Sequence, residues 1–312
     1  MKSIPGIGVR VATLAVVPMV SAALLTAQEP IFPGDPRWNE DPANHGTTVE
    51  ITATQPFMGN GSLQFDLGQT SENTLPDWGY YVRLAGPAET SSFGLLNGVD
   101  QLGFSWYRTD LGAPEGVVSW DPFMVQSPVF RVLVRDEVDG ESFFSELVWE
   151  YYYNQNGRPV EQQFALDRWF TEDLLNQVFW LHLTDPASQE RYSNTPNCAF
   201  GEFLGRDQLY LAAVHDWTSC FSENAVVYGV KIGVGSNWPA EFQGFADNVQ
   251  LGFNDQETLA IWDNFEFPDG PTSTVPEPAT LILLGSGLVA VGGTSLIRRR
   301  SRTGGSKNLS GS

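Results

Sequence analysis

The chain has 312 residues, enough for one large domain or two small ones, with 17 basic against 37 acidic residues and a net charge of −20. All 37 acids lie between Glu29 and Glu277 with ten of the bases, a net of −27 for that stretch, and Lys231 is its single lysine. No basic patch exists there to neutralise phosphates, so nucleic acid is excluded as a partner, and the acidity favours solubility and repels other acidic surfaces.

Residues 1–27 read as a signal peptide: Lys2 and Arg10 make the front basic, and Val11 to Leu25 is an almost unbroken apolar run. Small residues suit signal peptidase at Ser21-Ala22-Ala23 or at Leu25-Thr26-Ala27, and cleavage is placed after Ala27. Residues 28–46 carry Pro30, Pro33, Pro36 and Pro42; missing N–H groups argue against regular ladders, so this segment is read as an extended lead-in.

From 47 to 268 the sequence alternates with period two, which predicts strands with one dry and one wet face. Leu63, Phe65 and Leu67 share a face, as do Leu102, Phe104 and Trp106, then Phe130, Val132 and Val134, then Leu147, Trp149, Tyr151 and Tyr153. Tyr228, Val230, Ile232 and Val234 follow, then Val249, Leu251 and Phe253, and finally Ile261, Phe265 and Phe267. Many strands separated by turn residues predict an all-β, two-sheet sandwich of the jelly-roll or carbohydrate-binding-module type. Between Leu166 and Leu175 the apolar spacing is three and four instead, with Thr171 as a cap, which predicts a short helix. Cys198 and Cys220 are the two cysteines of the chain; in an oxidising compartment they are expected to close a disulfide worth about 3 kcal/mol on the chain-entropy model.

Within the sandwich, Glu137-Val138-Asp139-Gly140-Glu141 presents alternating acids. It resembles the catalytic strand of laminarinase-type retaining glycosidases, where two carboxylates act as nucleophile and acid. Asp139-Gly140 is also a strong hairpin signal between two strands, and the turn reading is preferred because a catalytic strand would run through Gly140. No zinc-protease helix, nucleophile elbow or phosphate loop is present, and His45, His182 and His215 stand apart in sequence, so no catalytic residue is assigned. Trp78, Trp120, Trp217 and Trp238 lie in Gly/Pro/Asp-rich surroundings where an exposed ring can serve as a sugar platform.

Asn60-Gly61-Ser62-Leu63, Phe104 to Arg108 and the run from Ser236-Asn237-Trp238-Pro239 to Phe253 resemble parts of jelly-roll modules of secreted carbohydrate-binding and surface proteins. Such modules often hold a structural calcium through an aspartate near the last strand, which makes Asp247 the candidate metal ligand. Asp247 shares parity with Phe245, Val249 and Leu251, so an inward carboxylate there needs a cation or hydrogen bonds; capping a turn is the other reading, and Asp263-Asn264 has the same ambiguity.

The C-terminal end has three parts. Residues 269–278 form a linker ending in Pro276-Glu277-Pro278; 279–297 are uncharged and, at about 1.5 Å per residue, span roughly 28 Å, a transmembrane helix; 298–312 form a basic tail with Arg298, Arg299 and Arg300. Basic residues stay cytoplasmic, so the sandwich faces outward. This order is similar to PEP-CTERM sorting signals, which implies export, inner-membrane anchoring before processing, and recognition of Glu277 and its prolines by an exosortase acting near them. Thr303 to Ser312 is a longer tail than that family usually shows. The resulting expectation is an exported, non-catalytic surface or matrix protein, its exported domain a candidate glycan binder, with a secreted polysaccharide-acting glycoside hydrolase as the alternative.

Overall fold

The computed structural model describes residues 28–67, 78–86, 90–111, 127–154, 166–184, 186–193, 212–235 and 242–268. The signal peptide, the Pro-Glu-Pro linker, the apolar segment 279–297 and the arginine tail lie outside the described residues. Among the described residues no helix is long and apolar enough to cross a membrane.

Two sheets face each other. In the first, β13 (Phe242–Phe253) pairs along one side with β7 (Val99–Arg108), beyond which lies β10 (Trp169–Asp173). Its other side is shared by β4 (Ser62–Leu67), which continues to β3 (Thr47–Thr52), and β14 (Ile261–Phe265), which continues to β1 (Glu29–Ile31). The second sheet runs β11 (Trp180–Leu183), β9 (Glu141–Trp149), β8 (Val129–Val138), β12 (Val226–Val234), β5 (Gly79–Leu84), β2 (Trp38–Glu40), with β6 (Gly94–Leu95) beside the start of β12. All these pairs are antiparallel except β1 with β14.

The dry faces are those the alternation marks, except at Tyr228, where a register shift between Val227 and Gly229 turns the ring onto Phe144 on the outer face, away from Val230 and Ile232. Leu63, Phe65, Leu102, Phe104 and Trp106 of the first sheet and Phe130, Val132, Val134, Leu147 and Trp149 of the second are buried. Phe104 reaches across to Phe130 and Trp149, with ring centroids 5.3 and 5.4 Å apart. Each such side chain removed from water contributes about 1.5–3 kcal/mol, so these facing strands hold the layers together.

Three expectations need correction. The lead-in 28–46 is extended, but two of its stretches pair: β1, Pro30 included, adds to the first sheet and β2 to the second, and Trp38 is fully buried between them. The predicted helix at 166–175 is instead strand β10, because the open edge of β7 accepts it in register, Phe170 opposite Trp106. There Phe170 stacks on Trp106 at 4.8 Å, and Glu172 accepts a hydrogen bond from Trp106 Nε1 (3.3 Å); tertiary pairing overrides a local spacing compatible with either state. The strand expected to run through Tyr151 and Tyr153 ends at Trp149 and turns into a 3-10 helix over Tyr151–Asn154.

The β8–β9 hairpin closes through Asp139 (φ 56°) and Gly140 (φ 84°), with Val138 opposite Glu141. Two successive left-handed residues make a type I′ turn, which matches the twist of the flanking strands. Glu137 and Glu141 therefore flank a solvent-exposed hairpin tip.

Candidate functional site

The alternation that buries one face of the second sheet leaves a row of charges on its other face. Because Val132 and Val134 point inward, Arg131 and Leu133 point outward; likewise Glu146 beside Leu147, Lys231 beside Val230, Tyr80 beside Tyr81, and Trp180 and His182 about Leu181. Register then gathers them across five adjacent strands: Lys231 lies opposite Arg131, while Glu146 lies opposite Leu133 on one side and His182 on the other. Glu146 is thus diagonal to Arg131, within reach of long side chains.

Glu146 is the hub and is itself buried. Its Oε2 pairs with Arg131 and lies 3.2 Å from His182 Nδ1, and its Oε1 accepts from Lys231 Nζ at 3.0 Å. Lys231 also pairs with Asp41 at 2.8 Å. Arg131 donates to the Tyr80 hydroxyl and lies 4.3 Å above the Tyr80 ring, adding a cation–π contact. At the β11 side, Trp180 Nε1 donates to Glu150 Oε1 at 3.3 Å, and the Trp180 ring meets the His182 ring edge-on.

The electrostatics follow from these partners. Burial alone would raise the Glu146 carboxyl, but His182, Arg131 and Lys231 outweigh it and hold the group well below the usual carboxylate range. Burial raises Glu150, which has only the Trp180 N–H and a more distant Arg131 to offset it. Lys231 is disfavoured as a cation by burial, yet Glu146 and Asp41 raise it above its ordinary value. Burial likewise pushes the Tyr80 hydroxyl up to about 12. The face therefore keeps fixed charges: an ionised carboxylate, two cations with N–H groups left over, a partly exposed histidine and flanking rings. Such a set presents hydrogen-bond donors and acceptors side by side, with Glu146 ionised and Lys231 protonated at neutral pH.

The residues singled out from sequence fall elsewhere. Asp247 is 0% exposed, and its carboxylate accepts backbone N–H groups from Phe265 (2.9 Å), Asn248 (2.8 Å) and Met58 (3.2 Å). Burial nonetheless raises its carboxyl well above the ordinary value, with these bonds working against the shift. The shared parity with Val249 and Leu251 does not hold: Asn248 at φ 52° forms a bulge that flips the strand between Asp247 and Gln250. Calcium needs six to eight oxygens, whereas three N–H donors surround the Asp247 carboxylate, so this carboxylate does not fit that ion. Among the described residues no group of three His, Cys, Asp or Glu side chains is placed to hold a metal.

Trp217 is 2% exposed, with Nε1 donating to the Phe179 carbonyl at 3.0 Å; it fills the core and offers no sugar platform, contrary to expectation. Trp78 is half-buried, stacked on His45 at 5.4 Å and bonded through Nε1 to the Ala43 carbonyl at 2.7 Å. Trp120, Trp238 and Cys198 lie outside the described residues; Cys220 is buried, and no free cysteine occurs among the described residues. His215 sits on the exposed side of a four-residue helix, apart from His182. Sequence reasoning missed Arg131, Glu146 and Lys231. Their signal was a charge placed between two inward apolar residues of a strand, together with the solitary status of Lys231.

Residues 274–300 match the PEP-CTERM protein-sorting motif. No curated protein matches the chain. Among solved structures, the chain is similar to a carbohydrate-binding module from the β-sandwich superfamily, with 9% identity, a TM-score of 0.28, and coverage of 69% of this chain and 57% of that one. It is also similar to an exo-β-agarase, with 9% identity, a TM-score of 0.30, and coverage of 71% and 23%. The chain thus spans less than two thirds of the length of either structure.

Proposed function

We propose that this is an exported surface protein, delivered to an exosortase by its C-terminal motif, whose sandwich binds a polysaccharide on the outer face of the second sheet without cleaving it. The sorting half rests on the motif at 274–300, which follows an acidic exported stretch and precedes only basic charges. It implies inner-membrane anchoring through 279–297 before processing. Glu277→Ala is expected to leave the full-length protein in the membrane fraction; unchanged processing contradicts this half.

The single observation behind glycan binding is the cluster around Glu146, where Arg131, Lys231 and His182 surround one buried carboxylate beside Tyr80 and Trp180. Hydroxyl-rich ligands are recognised by fixed donors and acceptors next to rings. Lys231→Ala is expected to abolish retention on whichever polysaccharide the unaltered protein binds in a glycan array; full retention refutes the site.

One observation favours a second reading, hydrolysis. Glu146 is held low and Glu150 raised, the division of labour of an acid and a base carboxyl. Binding ranks first because both Glu146 oxygens are already occupied by Arg131, His182 and Lys231, leaving poor access for a nucleophile. Release of reducing ends that disappears in Glu150→Gln would reverse the order.

A further inference from the structure

Charge on the second sheet is matched residue by residue. Its strands carry the bases Arg83, Arg131, Arg135 and Lys231. Arg83 pairs with Asp263, Arg131 with Glu146, Arg135 with Glu137 at 3.5 Å, and Lys231 with both Asp41 at 2.8 Å and Glu146 at 3.0 Å. Four bases thus meet four carboxylates before any ligand arrives. His182 Nδ1 faces the same Glu146 Oε2 at 3.2 Å, and Glu150 adds a further carboxyl beside Trp180, whose Nε1 donates to it at 3.3 Å. The stretch from Glu29 to Glu277 around this face holds ten bases against 37 acids, a net of −27.

This matching decides what kind of sugar polymer the face accepts. A uronate carboxylate or a sulfate must compete with a carboxylate already in place for Arg131 or Lys231, which adds no charge pair, and it approaches a surface of like sign. A hydroxyl meets neither obstacle, because it donates and accepts at once. Lys231 has three N–H groups and uses two on Asp41 and Glu146, so the third serves a hydroxyl without breaking a pair. Trp180 is half-buried and His182 is 46% exposed, with ring centroids 5.8 Å apart, so ring surface stands on the same face.

We infer that the polysaccharide bound on this face is uncharged, free of uronate and sulfate groups, and is selected because each base on these strands is already paired with a carboxylate. Selection of this kind presupposes that the face is the polysaccharide site proposed above. Contacts made through neutral hydroxyls respond little to screening, although the Debye length falls from about 10 Å at 0.1 M salt to about 3 Å at 1 M. Retention of the polymer is therefore insensitive to salt, whereas attraction of an anionic polymer to spare cations would fade with it.

The test offers full-length protein in detergent, at neutral pH, the neutral polymers glucan, mannan, galactan and agarose beside polygalacturonate, polymannuronate and sulfated galactan. Retention is expected on a neutral polymer, at least about tenfold tighter than on its acidic counterpart, and changing less than about twofold between 0.1 and 1 M sodium chloride. Asp41→Asn keeps the oxygen that accepts the Ala43 N–H (2.9 Å) but releases Lys231 from one of its two carboxylates. That variant is expected to gain about fivefold on the acidic polymers, the effect of one unit charge at about 4 Å in water, and a misfolded protein cannot imitate a gain. An acidic polymer held as tightly as its neutral counterpart, or no gain in Asp41→Asn, overturns the selection while leaving the polysaccharide site in place. Absence of retention on every polymer overturns both.

Discussion

Asp247 in the first sheet and Glu146 in the second are both buried carboxylates, yet they are satisfied by opposite means. Asp247 meets three neutral backbone N–H groups and is pushed toward its protonated form by burial, whereas Glu146 meets Arg131, Lys231 and His182 and is held ionised. The first arrangement ties strands together: Met58 and Phe265 belong to segments far apart in sequence that the one carboxylate joins. The second maintains charge just beneath a surface, because two of its partners are the cations Arg131 and Lys231, 12% and 19% exposed. A buried acid can thus be a rivet or a site, and its partners tell which.

That contrast breaks most visibly by mutation. Asp247→Ala strands three buried N–H groups at about 1–3 kcal/mol each, so chemical denaturation should show a loss of about 3–5 kcal/mol, with any sugar binding surviving in the protein that remains folded. Glu146→Gln removes the charge of the hub while Arg131 and Lys231 stay largely buried, at 12% and 19% exposed, so a loss of about 3 kcal/mol is expected, together with loss of polysaccharide retention.

The pH dependence of unfolding sharpens the same comparison. A raised folded-state carboxyl binds protons more tightly than the unfolded chain, so the Asp247 contribution falls as pH rises from its ordinary 3.8 toward the raised value; a lowered one does the reverse, and the Glu146 contribution is full above its ordinary 4.5 and lost as pH falls below it. Thermal midpoints measured across pH 2–7 should lose their acid limb in Glu146→Gln and flatten above pH 4 in Asp247→Asn; interchanged effects would contradict the assignment of charge states. The smallest effect is on the metal question: with N–H groups around Asp247, a chelator should leave the thermal midpoint unchanged, and a drop of several degrees would restore calcium there.

The sandwich was legible because period-two alternation is a direct image of a sheet with one dry face, and Leu63-Phe65-Leu67 or Phe130-Val132-Val134 leave no other reading. The Asp139-Gly140 turn was equally plain, since few residue pairs tolerate two successive positive φ angles. What failed depended on distant partners. Strand β10 exists because β7 has an open edge, and the parity of Asp247 fails because the Asn248 bulge intervenes; neither the edge nor the bulge can be read from local spacing. Trp217 sits among loop-forming residues yet fills the core, because its indole N–H finds the Phe179 carbonyl. The site itself was half-visible: Glu146, Arg131 and Lys231 each occupy the wet register of a strand, but only strand order brings them together.

The most direct test of a fixed-charge binding face is the affinity of the exported protein for its polysaccharide with and without Lys231→Ala, measured alongside the thermal midpoint. The account predicts at least tenfold weaker binding with the midpoint lowered by only a few degrees, since Lys231 is partly exposed and Arg131 still pairs with Glu146. Undiminished affinity in a folded Lys231→Ala protein would contradict it.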